Sequence, residues 1–260
     1  MSLWLFGDSY ADTKVGGLND WQYQALVSRN LKHNINDFSC SGSALDYTYL
    51  KFHEQCSNFN HGDYVIIALT VLQRDYFITD HPELGVGLVP SLNNKAYSIV
   101  PGYIQDAIEK YYKYLHNDLI AMNHLVNFLY MVNSIAYQKQ LHVLILDGME
   151  KYESGSNTQL QYNKHCYPNL HVAKGQLYSD VSYMEFYLIT QAEVFNYYSR
   201  DPRSNHMCRC NHEILADKIL KYFIDKIPVD LTDGSFKQHI ITSENFKDSE
   251  FTQKEFTNYV

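Results

Sequence analysis

At 260 residues and 30.3 kDa the chain is too long for a disulfide mini-scaffold and, at roughly 150 residues per domain, fits one large domain or two small ones. Hydrophobic residues at 45% and charged residues at 19% exclude wholesale disorder, collagen and extended coiled coil. A formal net charge of -8 with no run of basic residues argues against nucleic acid or anionic lipid as a partner.

The first element is Leu3-Trp4-Leu5-Phe6, a short apolar run that ends in Gly-Asp-Ser and reads as a buried strand entering a sharp loop. Trp21, Ala25, Leu26 and Leu31 have helical spacing and predict a helix that packs on that strand. A second strand is predicted from Asn34 to Ser41, ending in Cys40-Ser41-Gly42-Ser43. Tyr64 to Leu69, YVIIAL, is the strongest strand signal and reads as central, covered on both faces. From Ile104 the apolar positions step by three or four to about Gln138, which predicts one amphipathic helix of unusual length. Leu141 to Leu146 then forms another buried strand, and the strand-helix-strand crossover is that of a parallel sheet. Ile214, Leu215, Ile219, Phe223 and Ile227 give a closing helix stopped by Pro228. The alternation predicts an α/β fold, a three-layer α/β/α sandwich on a mostly parallel sheet.

One domain is expected over 1–228, with inserted loops at about 79–102 and 151–183, followed by a polar C-terminal extension over 229–260. No stretch reaches the ~18 consecutive apolar residues of a membrane span, and no signal peptide is visible. The protein is therefore predicted to be cytoplasmic as synthesised, with no membrane partner. Five cysteines, an odd number at irregular spacing, argue against a disulfide framework. Cys208 and Cys210 with His206 and His212 invite a zinc reading, but the C-x-C step is too short for a finger and no second pair follows. Neither a metal nor a cofactor is predicted. The 23 tyrosines offer flat amphipathic surface for packing, for interfaces or for stacking on sugars.

Ligands of open parallel sheets bind outside the carboxyl ends of the strands. The candidates there are Gly7-Asp8-Ser9, Ser41-Gly42-Ser43, Thr70 to Arg74, and Asp147. A serine on a tight turn becomes a nucleophile only if a base reaches its hydroxyl, and His206, just ahead of the last helix, could swing over that edge. Ser9 could otherwise be a turn or capping residue, and His206 a surface histidine.

These residues resemble a known family. FGDSYAD at Phe6 to Asp12 is similar to the first motif of the SGNH, or GDSL-type, hydrolases, and the resemblance continues in the family's order. Gly42 within SCSGS matches the second-motif glycine, YVIIALT matches the third strand, and His206 ahead of NHEILADKI matches the last motif. The resemblance implies acyl transfer by an esterase, with Ser9 as nucleophile, His206 as base, and the backbone N–H groups of Ser9 and Gly42 as oxyanion donors. It further implies that Asp8 shapes the turn and that Asp12 anchors the loop.

Two positions depart from the family pattern. The third strand exits into Thr70-Val71-Leu72-Gln73-Arg74 where the family carries an oxyanion Asn. Thr70, Gln73 or Arg74 could replace it, and this T-x-x-x-R exit resembles phage and bacterial variants of the fold. The orienting Asp, normally three residues before the histidine, is replaced by Arg203. Asp201 or a backbone carbonyl could take its place. The expectation is a serine esterase or deacetylase acting on a small acyl ester, such as an acetylated glycan. The rivals are an acyltransferase, or a degenerate domain that binds carbohydrate or serves as a structural module, for instance in a viral tail, which would make the protein virion-associated.

Overall fold

The computed structural model describes residues 1–13, 20, 22–40, 43–70, 102–115, 118–148, 166–181, 184–187, 207, 209–237 and 239–242. The elements are, in chain order, β1 (Ser2–Gly7), α1 (Tyr23–Leu31), β2 (Asn34–Asp37), α2 (Leu45–Gln55), β3 (Tyr64–Leu69), α3 (Gly102–Tyr114), α4 (Asp118–Lys139), β4 (His142–Asp147) and β5 (Leu170–Gln176). A single π-helical turn over Leu177–Val181 follows, then β6 (Met184–Tyr187), α5 (Arg209–Asp225) and β7 (His239–Thr242). Five strands form a parallel sheet in the order β2-β1-β3-β4-β5, the flavodoxin-like doubly wound arrangement.

The period-2 alternation of the strands sorts their side chains onto two helical layers. Leu3, Leu5, Ile66, Ala68, Leu144 and Leu146 face a core built with Tyr23 and Val27 of α1 and Leu215, Ile219 and Phe223 of α5. Trp4, Phe6, Val65, Ile67, Leu69, Val143 and Ile145 face the other, built with Phe52 of α2 and Leu125, Phe128, Leu129 and Val132 of α4. The predicted three-layer α/β/α sandwich is thus observed. All of these side chains are buried, and at about 1.5–3 kcal/mol for each large apolar side chain the two cores dominate the stability of the domain.

The amino edge of the sheet is held by one buried carboxylate. Asp63, ahead of β3, accepts from the Ser2 backbone N–H (2.7 Å) and the Trp4 indole N–H (2.8 Å), and from the Asn60 N–H at 3.0 Å. Its own carbonyl accepts from the His142 N–H at 2.9 Å, so one residue ties β1, β3 and β4 together.

Three elements differ from the sequence-based expectation. The single long helix is two, because α3 ends at Tyr114 and α4 starts at Asp118. The second helix starts at Asp118, and Asp favours starting a helix over continuing one; the apolar steps of the sequence run on past this point, so periodicity did not register it. The second strand stops at Asp37 rather than Ser41, because the Asp37 carboxylate accepts from the Ser39 N–H (2.8 Å) and turns the chain. The stretch 151–183, read as an inserted loop, contains β5. With His171, Lys174 and Gly175 in seven residues, that strand has little β propensity of its own and is stabilised by pairing with β4. The loop expected at 79–102 lies outside the described residues up to Gly102, where α3 begins.

The chain beyond Pro228 packs on β5. The Lys174 N–H donates to the Val229 carbonyl (2.9 Å) and the Leu231 N–H to the Lys174 carbonyl (2.7 Å), while the Val229 N–H donates to His171 Nε2 at 2.9 Å. Val229 and Leu231 are buried. No helix among the described residues is long and apolar enough to cross a membrane.

Replacing Asp63 with Ala would leave the buried Trp4 indole N–H and the Ser2 and Asn60 amides without their acceptor. A loss of about 2–4 kcal/mol is expected, read as a lower urea midpoint with an unchanged m-value.

Candidate active site

The carboxyl edge of the sheet is shaped by two glycines beside the end of β3. Gly7 has φ +131°, and a Cβ there would lie 2.1 Å from the Ala68 carbonyl oxygen. A Cβ on Gly148, the residue after β4, would lie 2.2 Å from the Leu69 carbonyl oxygen. Only glycine permits such backbone proximity, so β1 and β4 crowd the exit of the central strand from both sides. The register pairs Gly7 with Ala68 and Leu69 with Asp147. Two residues beyond the Gly7–Ala68 rung stand Ser9 on one strand exit and Thr70 on the next.

Ser9 sits inside a tight turn. The Asp8 carbonyl accepts from the N–H groups of Ala11 (3.0 Å) and Asp12 (3.1 Å), and Asp8 Oδ1 accepts from the Tyr10 N–H at 3.1 Å. The side chain of Asp8 is thus directed into its own turn. Asp8, Tyr10, Ala11 and Asp12 are all buried, whereas Ser9 is partly exposed. The turn is backed by α1, where the Tyr23 hydroxyl donates to the Tyr10 carbonyl at 2.9 Å and the Gln24 amide to the Tyr10 and Ala11 carbonyls at 3.3 Å. Burial, reinforced by the Asp37 and Asp8 charges, holds the Tyr23 phenol far above its ordinary range, so it remains a donor.

The loop after β2 is clamped to the same place. The Gly7 carbonyl accepts from the Cys40 N–H (2.9 Å) and from Ser43 Oγ (3.0 Å), and the Cys40 carbonyl accepts from the Ser43 N–H at 3.0 Å. Asp37 binds this loop to the Ser9 turn, because its carboxylate accepts from the Thr13 N–H at 2.9 Å and from the Ser39 N–H and hydroxyl. On the other side of β3, Asp147 is buried at the end of β4, and its Oδ2 accepts a long bond from the Gln176 amide at 3.5 Å.

Of the residues predicted from sequence, Ser9 and Thr70 are described and stand at adjacent strand exits, with Thr70 buried. Gly42, Arg74, Asp201 and His206 lie outside the described residues, as do Gln73 and Cys208; Cys40 and Ser43, which bracket Gly42, are both bonded to Gly7. Among the described residues no group of three or more His, Cys, Asp and Glu side chains is arranged to hold a metal.

The other histidine of the last motif has structural work. His212 is fully buried, lies parallel to the Tyr23 ring at 5.8 Å, and accepts the Tyr23 backbone N–H on Nδ1 at 3.2 Å. Tyr23 is the first residue of α1, whose own N-cap Gln22 makes no side-chain capping bond, so His212 satisfies an otherwise orphan donor. Beside it the buried Asn211 donates to the Val181 and Lys237 carbonyls and accepts from the Lys237 N–H, each at 2.8 Å. Sequence reasoning missed Asn211, Asp37, Gly148 and Gln176. The Asp-Gly that closes β4 was the legible hint for Gly148; Asn211, Gln176 and the Thr13 contact of Asp37 join chain that is remote in sequence.

No protein-family model matches the chain, and no curated protein matches it. Among solved structures, it is similar to a carbohydrate esterase family 2 enzyme plus carbohydrate binding domain from Corynascus thermopiles (Myceliophthora fergusii), with a TM-score of 0.39 and 12% identity. The match covers 86% of this chain and 66% of that one, so this chain spans just under two-thirds of its neighbour's length.

Replacing His212 with Ala would strand the Tyr23 N–H in the core. A loss of about 1–3 kcal/mol is expected in chemical denaturation; unchanged stability would contradict the capping role.

Proposed function

We propose that this chain is a serine esterase of the SGNH class that hydrolyses a small acyl ester, with O-acetyl groups on carbohydrate as the substrate class. The observation that carries the reading is the Ser9 turn at the exit of β1, with Cys40 and Ser43 both bonded to the Gly7 carbonyl two residues earlier. The order of the remaining motifs along the chain agrees with it.

In this reading Ser9 Oγ attacks the ester carbonyl carbon while His206 takes the hydroxyl proton. The carbonyl oxygen becomes an oxyanion that accepts from the backbone N–H groups of Ser9 and Gly42. Thr70, at the adjacent strand exit, supplies the third donor through its hydroxyl, and Arg74 lies four residues on to meet the acyl or sugar oxygens. Collapse of the tetrahedral intermediate breaks the bond to the alcohol oxygen, which leaves with the proton held by His206. Water then repeats the sequence on the acyl-enzyme and regenerates Ser9. His206 is oriented by Asp201 or by a backbone carbonyl; loss of a triad acid can cost about 10⁴ in rate, so the carbonyl-held dyad would be the slower enzyme. No metal and no cofactor takes part.

A second reading is favoured by the third-strand exit Thr70-Val71-Leu72-Gln73-Arg74, which lacks the family's oxyanion Asn, and by Arg203 at the position of its orienting Asp. It is a domain that retains the fold and binds a glycan without turning it over. An acyltransferase would share every step except the acceptor, an alcohol in place of water.

Intact-mass spectrometry after incubation with a fluorophosphonate separates the readings. The esterase predicts a single adduct on the wild type, no adduct on Ser9→Ala, and labelling slowed by about 10²-fold or more on His206→Ala. An unlabelled wild type would favour the binding module.

A further inference from the structure

Three histidines hold α5 and the chain that follows it, and each does so as a hydrogen-bond acceptor. At the start of the helix the Tyr23 N–H donates to Nδ1 of the fully buried His212 at 3.2 Å. Just past its end, Lys226 turns through a left-handed backbone at φ +60°. Its Nζ donates to His142 Nδ1 on β4 at 3.2 Å and to the Phe223 carbonyl at 3.1 Å. Three residues on, the Val229 N–H donates to Nε2 of the buried His171 on β5 at 2.9 Å. A backbone amide and an ammonium group can only donate, so the accepting nitrogen carries no proton in any of the three bonds. A proton on that nitrogen and the bond exclude each other, and at His142 it would also set two cations 3.2 Å apart.

These bonds keep a cover in place. β5 is the last strand of the parallel sheet, and the segment after Pro228 lies along its outer edge, where Lys174 exchanges backbone bonds with Val229 and Leu231. An uncovered sheet edge is a template for pairing with another chain. The groups around the rings add to the effect of acid or leave it unopposed. His142 stacks on Tyr64 at 4.9 Å, and burial, with Lys226 and His61 beside it, holds its imidazole below the ordinary range. His171 stacks on Tyr222 at 4.1 Å. His212 lies on Tyr23, whose phenol is reached by the Asp37 and Asp8 charges. In the covering segment, bonds from Lys174 and Lys218 hold Asp230 and Asp233 below the usual carboxylate range, so both stay charged where histidine titrates.

We propose that His142, His171 and His212 form an acid-sensitive latch, which holds α5 and the Val229–Leu231 segment in place at neutral pH and uncovers the edge of β5 as the pH falls. Released imidazoles take up protons below about pH 6.5, whereas latched ones do so only by breaking their bonds. The latch is therefore at full strength above that pH and is lost progressively below it.

The test is native-state amide exchange of the whole chain at about pH 7.5 and about pH 5.5, on either side of the ordinary histidine value. It is read by nuclear magnetic resonance at the Val229 and Leu231 amides, as protection factors that divide out the intrinsic pH dependence of exchange. One imidazole that titrates at about 6.5 when released raises the open population about tenfold between those two values. Wild-type protection is accordingly expected to fall by about tenfold or more. His171→Gln offers the Val229 N–H an amide oxygen that no proton removes in this range, and takes about tenfold out of the fall. His142→Asn, with its amide oxygen at the Nδ1 position, does the same from the Lys226 side and serves if the first variant misfolds. Wild-type protection that is equal at the two pH values, or a fall that neither substitution reduces, overturns the proposal.

Discussion

The candidate site depends on a missing side chain. A Cβ on Gly7 would lie 2.1 Å from the Ala68 carbonyl oxygen, so only glycine lets β1 run that close to β3 at the end where the chain must turn. The Gly7 carbonyl is then free to collect the Cys40 N–H and the Ser43 hydroxyl, which seats the loop after β2. The backbone conformation at φ +131° sends the chain into the Asp8 turn on which Ser9 stands. Gly148 repeats the device across β3. Stability and site geometry thus meet in the same few atoms, and a side chain at Gly7 would disturb sheet, turn and second loop together.

The helical layer beneath this edge fixes the turn from below. Tyr23 and Gln24 donate to its carbonyls, and the helix that carries them is capped by His212 from α5. Asn211, one residue earlier, joins α5 to the π-helical turn after β5 and to the segment ending at Lys237. The start of α5, which follows the proposed base His206 in sequence, is therefore bonded to the helix that supports the proposed nucleophile. This buried polar network ties α1 to α5, and so holds the Ser9 turn in one place.

The sheet was legible in the sequence where one physical signal dominated. β1, β3 and β4 are short apolar runs bounded by turn residues, and burial on both faces leaves them no polar alternation to obscure. The turn on which Ser9 stands was legible because Gly-Asp-Ser closes the first of them, and Asp8 behaves as its type suggests, bonding within its own turn. β5 was not, since its stability comes from β4 and from the docked segment around Val229 rather than from its own residues. The α3–α4 break was hidden by periodicity that continues across it. The work of His212 and Asn211, and the contact of Asp37 with Thr13, were illegible for another reason: each joins chain that lies close in space and distant in sequence, and no local pattern records such a partner.

The edge formed by Gly7, the Ser9 turn and the loop bonded to Gly7 is the proposed oxyanion site. The crystal structure of a phosphonylated protein tests it most directly. Phosphorus is expected on Ser9 Oγ, with a phosphonyl oxygen accepting from the backbone N–H groups of Ser9 and Gly42. His206 should lie within about 3.2 Å of Ser9 Oγ or of the leaving-group oxygen position. Phosphorus on another residue, or a phosphonyl oxygen turned away from both amides, would contradict it.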